Sequence, residues 1–195
     1  MQLTQPVLES AWVRLEPVQE RHRAGLRAAA GDMSHFRHMP EPVPRSAGYD
    51  ALFDWEQGEA AAGRWRRYAV IVRNEMVGHT CYLAIRPEHR GVEIGATWYA
   101  PAFQGGATNP AAKLLLLDHA FGCGAERVEL KTCSNNARSR AAILKLGASF
   151  EGVHRRHMLR ADGSWRDTAW YSILRDEWPS LRAGLEARLS QFSSP

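Results

Sequence analysis

The chain has 195 residues, 45% of them apolar and 24% charged, with a formal net charge of +4 and three cysteines. That suits a single globular domain over residues 1–195, with a mild preference for anionic ligands. It excludes a disulfide framework, because Cys81, Cys123 and Cys133 show no paired spacing, and the eight histidines form no metal-ligand pattern, so no metal is expected.

In chain order, Trp12 to Leu15 reads as a first strand ended by Pro17, and Gln19 to Ala30 as a helix. Gly31 to Arg45, with Pro40, Pro42 and Pro44, reads as a surface loop, either part of a substrate mouth or a plain connector. Tyr49 to Ala62 is a helix that buries Leu52, Phe53 and Trp55. Three strands follow, at Tyr68–Val72, Met76–Ile85 and Val92–Tyr99, and their short turns imply an antiparallel meander. In the last of these, Val92, Ile94, Ala96 and Trp98 alternate on one face, with Glu93, Gly95, Thr97 and Tyr99 on the other. A helix from Pro110 to Phe121, with Asn109 as N-cap, leads to a strand at Arg127–Cys133, expected to be parallel to the Glu93 strand. Asn136 can cap a helix from Ala137 to Leu146 that Gly147 ends. Phe150–Arg160 and Trp165–Leu174 form a hairpin through Ala161-Asp162-Gly163-Ser164, and a helix from Ser180 to Phe192 closes the chain. The expected fold is α/β (α+β): a mixed, mostly antiparallel central sheet with helices on both faces.

The most informative stretch is the strand, glycine loop and helix from Glu93 to Phe121. Loop N–H groups and a helix N-terminus converge near Gly105 to Asn109, which makes an anion site. It is no Walker A loop, since no Gly-Lys-Ser/Thr ends it. Gly122-Cys123-Gly124 follows a helix and has Arg127 where a dinucleotide fingerprint needs glycine.

Several segments together resemble the GNAT superfamily of N-acyltransferases, in its RimJ/RimL-like branch, along nearly the whole chain. They are Trp12-Val13-Arg14-Leu15-Glu16-Pro17, the loop Gln104-Gly105-Gly106-Ala107-Thr108-Asn109, and Asn136-Ala137-Arg138-Ser139 with Leu146-Gly147-Ala148. Glu151-Gly152, Asp162-Gly163, Asp167, Tyr171 and Glu177-Trp178 complete the likeness. The loop departs from the usual [Gln/Arg]-x-x-Gly-x-[Gly/Ala] at Ala107 and Asn109, although relatives with a threonine-asparagine loop and a following lysine, here Lys113, are similar.

The resemblance implies that acetyl-CoA is the co-substrate. Its pyrophosphate would lie on Gln104, Gly105, Gly106, Ala107, Thr108 and Asn109, and its pantetheine along the backbone near Trp98 and Tyr99 and against Asn136. It implies transfer of the acetyl group to an amine, with Glu93 as a water-mediated base and Ser139 as the acid that protonates the leaving thiolate. The acceptor is then a protein N-terminal α-amine or a small-molecule amine. The enzyme is expected in the cytoplasm, with a possible homodimer and neither nucleic acid nor membrane as partner.

Other readings of the same residues stay open. Glu93 can be a salt-bridged strand carboxylate, Ser139 a first-turn serine bonded to its own backbone, Asn136 simply an N-cap, and Gln104 loop scaffolding. Trp98 reads as core, and Cys133 as a buried apolar residue before an acyl-cysteine. His154, Arg155, Arg156 and His157 suit either an acidic substrate or the polar face of an outer strand. A non-catalytic CoA-binding module is the alternative at the level of function. A nucleic-acid-binding domain ranks last, since no reader motif is present.

Overall fold

Tyr68, Val70 and Val72 belong to one buried cluster and Ala69 to another. A strand apolar on both sides belongs inside a sheet covered on both faces. The computed structural model describes residues 1–39, 45–160 and 162–192. Pro40, Pro42 and Pro44 of the expected loop and Ala161 of the expected hairpin turn lie outside the described residues.

Eight strands form one sheet: β1 (Leu8–Glu9), β2 (Arg14–Pro17), β3 (Arg66–Val72), β4 (Glu75–Arg86), β5 (Gly91–Tyr99), β6 (Arg127–Cys133), β7 (Ser149–Leu159) and β8 (Trp165–Leu174). Their order is β1-β2-β3-β4-β5-β6-β8-β7, and every neighbouring pair is antiparallel except β5 and β6. Helices α1 (Arg23–Ala30) and α2 (Gly48–Ala61) contribute Leu26, Tyr49 and Phe53 to the cluster on one face. On the other, α3 (Thr108–Gly122), α4 (Ala137–Leu144) and α5 (Trp178–Leu189) supply Leu116, Leu117, Ile143, Leu185 and Leu189. Burying each such leucine stabilises the fold by roughly 1.5–3 kcal/mol.

The elements follow the expected order, with instructive shifts. The first long strand runs from Arg14 to Pro17, so Pro17 is its last residue, and the two-residue β1 is too short to leave a pattern. The expected helix from Gln19 begins as a 3-10 turn over Glu20–His22 before α1. There the His22 ring accepts from the Gln19 N–H at 3.0 Å, which closes that turn. Arg67, only 1% exposed, ties β3 to α2 through Glu56 at 2.6 Å and Gln57 at 2.6 Å.

Two expectations are corrected. Ala96 has φ 48°, and β5 gains one residue against β4 between the pairs Cys81–Gly95 and His79–Trp98. This bulge flips the alternation, so Trp98 does not share the face of Val92 and Ile94. It packs instead with Phe36 and Tyr49 in the cluster under α1 and α2. The second correction concerns Asn109. The helix starts at Thr108 with Ala107 in the cap position and no side-chain cap. Asn109 is thus its second residue and Pro110 its third, where an N–H still has no intrahelical acceptor and proline remains tolerated.

Candidate active site

The site begins where two parallel strands part. The pairing of β5 with β6 covers only Gly91–Arg127, Val92–Val128 and Glu93–Glu129. Beyond Glu93, β5 continues to Tyr99 and β6 to Cys133, where β6 pairs with β8 alone. The bulge at Ala96 turns β5 aside at the point where the two diverge. A wedge therefore opens beyond the carboxyl ends of the paired segment, the place in an α/β sheet where ligands bind.

Buried polar groups hold this bulge from both faces. On one side the His79 ring nitrogen Nδ1 donates to the Ala96 carbonyl at 2.9 Å. A carbonyl can only accept, which fixes the proton on Nδ1. On the other side Lys113 Nζ, from α3, donates to Thr97 Oγ1 at 2.7 Å and Thr80 Oγ1 at 3.3 Å. Thr80 and Thr97 also bond each other at 2.8 Å. Burial pushes Lys113 down to about 7 and keeps His79 neutral.

At the mouth of the wedge, Gln104 to Ala107 lead into α3. Gly105 takes φ 83°, which favours glycine, whereas Ala107 has φ −71° and accepts a side chain without strain. Apart from the adjoining residues, no atom lies within 4 Å of the place a Cβ would occupy on Gly105 or Gly106. The loop backbone is thus an open cradle, and the first N–H groups of α3 have no intrahelical acceptor. An anion fits there.

The Gln104 side chain braces the loop. Its amide donates to the Tyr99 carbonyl at 2.7 Å, and its oxygen accepts from Arg138 Nη1 at 2.5 Å. The second of these bonds sets the α3 loop beside the start of α4. Tyr99 is buried, with its hydroxyl donating to Asn109 Oδ1 at 3.3 Å. The Trp98 ring is core, so only its backbone is available to a ligand.

Asn136 caps α4 as expected, its side chain accepting from the Ser139 N–H at 3.1 Å. That fixes Ser139 in the first turn and leaves its hydroxyl without a hydrogen bond among the described residues. Cys133, ending β6, is buried, and Arg160 Nη2 approaches its sulfur at 3.2 Å.

Glu93 sits at the fork, 2% exposed. A Cβ on Gly95 would come within 2.8 Å of Glu93 Oε1, so that glycine makes room for the carboxylate. Lys131 Nζ holds Oε2 at 2.7 Å. Burial raises the carboxyl's affinity for a proton, and Lys131 opposes that. Lys131 in turn lies 4.9 Å over the Trp170 ring.

The fold thus gathers the loop, Asn136 and Ser139 at the mouth and Glu93 at the fork. Lys131, His79 and Arg166 were missed as neighbours. Only the parallel register and the bulge bring the first two to the site. Arg166 left no trace, since the run Arg166-Asp167-Thr168 is polar on both faces of β8. Among the described residues no group of His, Cys, Asp or Glu could hold a metal, and no helix is long and apolar enough to cross a membrane.

A mixed sheet split between two parallel strands, with an anion cradle at the split, defines a class of acyl-transfer enzymes. The acetyltransferase (GNAT) domain family matches residues 13–149, and the chain belongs to that family. A solved protein from T. thermophilus, classed as an acetyltransferase, is 36% identical, with a TM-score of 0.86 over 97% of this chain and 100% of that one. A GCN5-related N-acetyltransferase from Brucella melitensis is 29% identical, with a TM-score of 0.86 over 100% and 90% of the two chains. RimJ of Mycobacterium smegmatis, solved with CoA-disulfide, is 27% identical, with a TM-score of 0.76 over 93% and 92%. No curated protein matches the chain.

Proposed function

We propose that the protein transfers the acetyl group of acetyl-CoA to a primary amine, either a protein N-terminal α-amine or a small molecule. The observation that carries this reading is the wedge beyond Glu93, with its bulge and its open glycine cradle. The coenzyme found with RimJ of M. smegmatis supports coenzyme A as the group held there. Gly105 to Asn109 hold the pyrophosphate, and the edge of β5 that β6 leaves near Trp98 and Tyr99, where Gln104 already takes the Tyr99 carbonyl, receives the pantetheine together with Asn136.

Glu93 accepts the ammonium proton through a water, at the oxygen that Lys131 leaves free. Burial makes this carboxylate a stronger base than an exposed one, while Lys131 keeps it ionised. The freed amine attacks the thioester carbonyl, the C–S bond breaks as Ser139 Oγ–H protonates the departing thiolate, the attacking nitrogen gives up its second proton to solvent, and Glu93 releases the first to bulk water. Bulk water then restores the serine proton.

One observation favours the alternative, a CoA-binding module without turnover: Glu93 is already ion-paired with Lys131 at 2.7 Å. Calorimetric titration with acetyl-CoA tests the shared part of both readings, with desulfo-CoA and ATP as controls. Micromolar binding is expected, weakened at least about tenfold by Gly106→Asp, which sets a carboxylate in the phosphate cradle. Absence of binding at millimolar acetyl-CoA would contradict both. Amine-dependent release of free thiol then separates enzyme from module.

A further inference from the structure

Arg166 lies on β8 and is 3% exposed, yet its Nε and Nη1 atoms are buried without a hydrogen-bond partner among the described residues. A buried cation is costly unless an anion meets it. Its place in the sheet shows where that anion would come from. Arg166, Thr168 and Trp170 alternate along β8 on one face, with Thr168 beside Cys133 and Trp170 beside Lys131 of β6. Because β8 runs antiparallel to β6, Arg166 stands past the Lys131–Glu93 pair at the open end of the wedge.

The surroundings are cationic. Arg160 reaches this spot from the end of β7 through its contact with Cys133. Burial, and after it Arg37, Arg160, Arg138 and Arg166, disfavour protonation of His38. The carboxylate that acts on Arg166 is Glu93, which Lys131 already neutralises. The nearby acids have other partners: Asp167 accepts from the Arg156 N–H and Asp162 from the Ser164 N–H.

We propose that Arg166, supported by Arg160, binds an anionic group, a carboxylate or phosphate, carried by the amine acceptor, so that the acceptor class is acidic amines. This rests on the acetyl-transfer reading only in taking the wedge's open end as the acceptor side. The notion of an acidic substrate arose in the sequence at His154 to His157, but Arg155 and Arg156 are exposed, and the buried arginine without a hydrogen-bond or ion-pair partner among the described residues is Arg166.

The test uses matched primary amines with acetyl-CoA: 4-aminobutyrate against 4-aminobutanamide, O-phosphoethanolamine against ethanolamine, and Asp-Ala-Ala-amide against Asn-Ala-Ala-amide. The pair that responds most distinguishes a small acid from an acidic peptide terminus. The wild type is expected to favour the charged member of at least one pair by about tenfold or more in kcat/KM. Arg166→Gln should bring that ratio to within about threefold of one, with Arg166→Lys in between. A second arm needs no turnover: N-acetyl-4-aminobutyrate should raise the Tm of the CoA-loaded wild type, and its amide should not. No preference in any pair, an equal loss for both members in Arg166→Gln, or loss of acetyl-CoA binding in that variant would overturn the proposal. If no amine is acetylated at all, the acetyl-transfer reading fails and the Tm arm alone decides. If Arg166→Gln does not fold, the wild-type ratios and Arg166→Lys decide.

Discussion

Glu93, Ser139 and Lys113 each invite a separate test. Glu93→Gln keeps the shape of the side chain and removes the base, so kcat/KM should fall about 10²-fold, within the usual contribution of a positioned proton acceptor. A change below threefold in steady-state turnover would leave Glu93 as the ion-pair partner of Lys131 only. Ser139→Ala retains the Asn136 cap, which uses the Ser139 backbone N–H. It should therefore lower kcat about tenfold and leave the affinity for acetyl-CoA within about twofold. Lys113 makes a prediction about stability. Its folded value is about 7, whereas an exposed lysine in the unfolded chain titrates near 10.4. Between those values the unfolded chain holds a proton that the folded chain lacks. Stability from this group therefore rises with pH across the window, and its penalty is complete below about pH 7. Lys113→Met should raise the Tm at pH 7 by several degrees and flatten the pH dependence between about 7 and 10, because Thr80 and Thr97 still satisfy each other. Thermal melts across that range check the slope, and an unchanged slope would contradict the assignment.

Elements position these groups, and two junctions matter most. The bulge in β5 depends on His79, so His79→Leu should lower acetyl-CoA affinity about tenfold by freeing the Ala96 carbonyl. Titration calorimetry reads it, and unchanged affinity would separate the bulge from the cofactor. Gly147, in the turn three residues past the end of α4, takes φ 87°, and a Cβ there would collide with Leu181 of α5. Gly147→Ala should cost about 1–3 kcal/mol, read by denaturant melts. The Asn136 cap and the β7–β8 hairpin were legible in the sequence, because each depends on chemistry within a few residues, whereas α4 stops at Leu144, two residues before the end that Gly147 marked. The start of α3 was less legible. Asn109 has the features of a cap, but tertiary bonding to Tyr99 takes its side chain and the helix begins two residues earlier than such a cap implies, at Thr108. The bulge at Ala96 was not legible at all. Alanine carries no mark of a positive φ, and the groups that hold it there, His79 and Lys113, lie 17 residues away in each direction in the chain.

At the scale of the molecule, the sheet is split so that one half carries α1 and α2 while the wedge opens toward β6, β8 and β7. The β3-β4-β5 meander, the single parallel pair and the β7–β8 hairpin are implied by the sequence pattern, whereas β1 and the place of β8 beside β6 are not. The pairing of Lys131 with Glu93 and the cationic end near Arg166 come from strand register, which no local pattern encodes. Binding acetyl-CoA to the folded chain alone should raise the Tm with ligand concentration, by a free energy of about 2.7 kcal/mol at a hundred times Kd. In the proposed reaction the carboxylate at the fork turns acetyl-CoA binding into acetyl transfer. The most direct test is steady-state release of free CoA thiol from acetyl-CoA with a panel of primary amines, comparing wild type with Glu93→Gln at matched acetyl-CoA saturation. Amine-dependent release is expected in the wild type and about a hundredfold less in the variant. Tight acetyl-CoA binding with no amine-dependent release from either protein would contradict it and leave the wedge as a site that only binds.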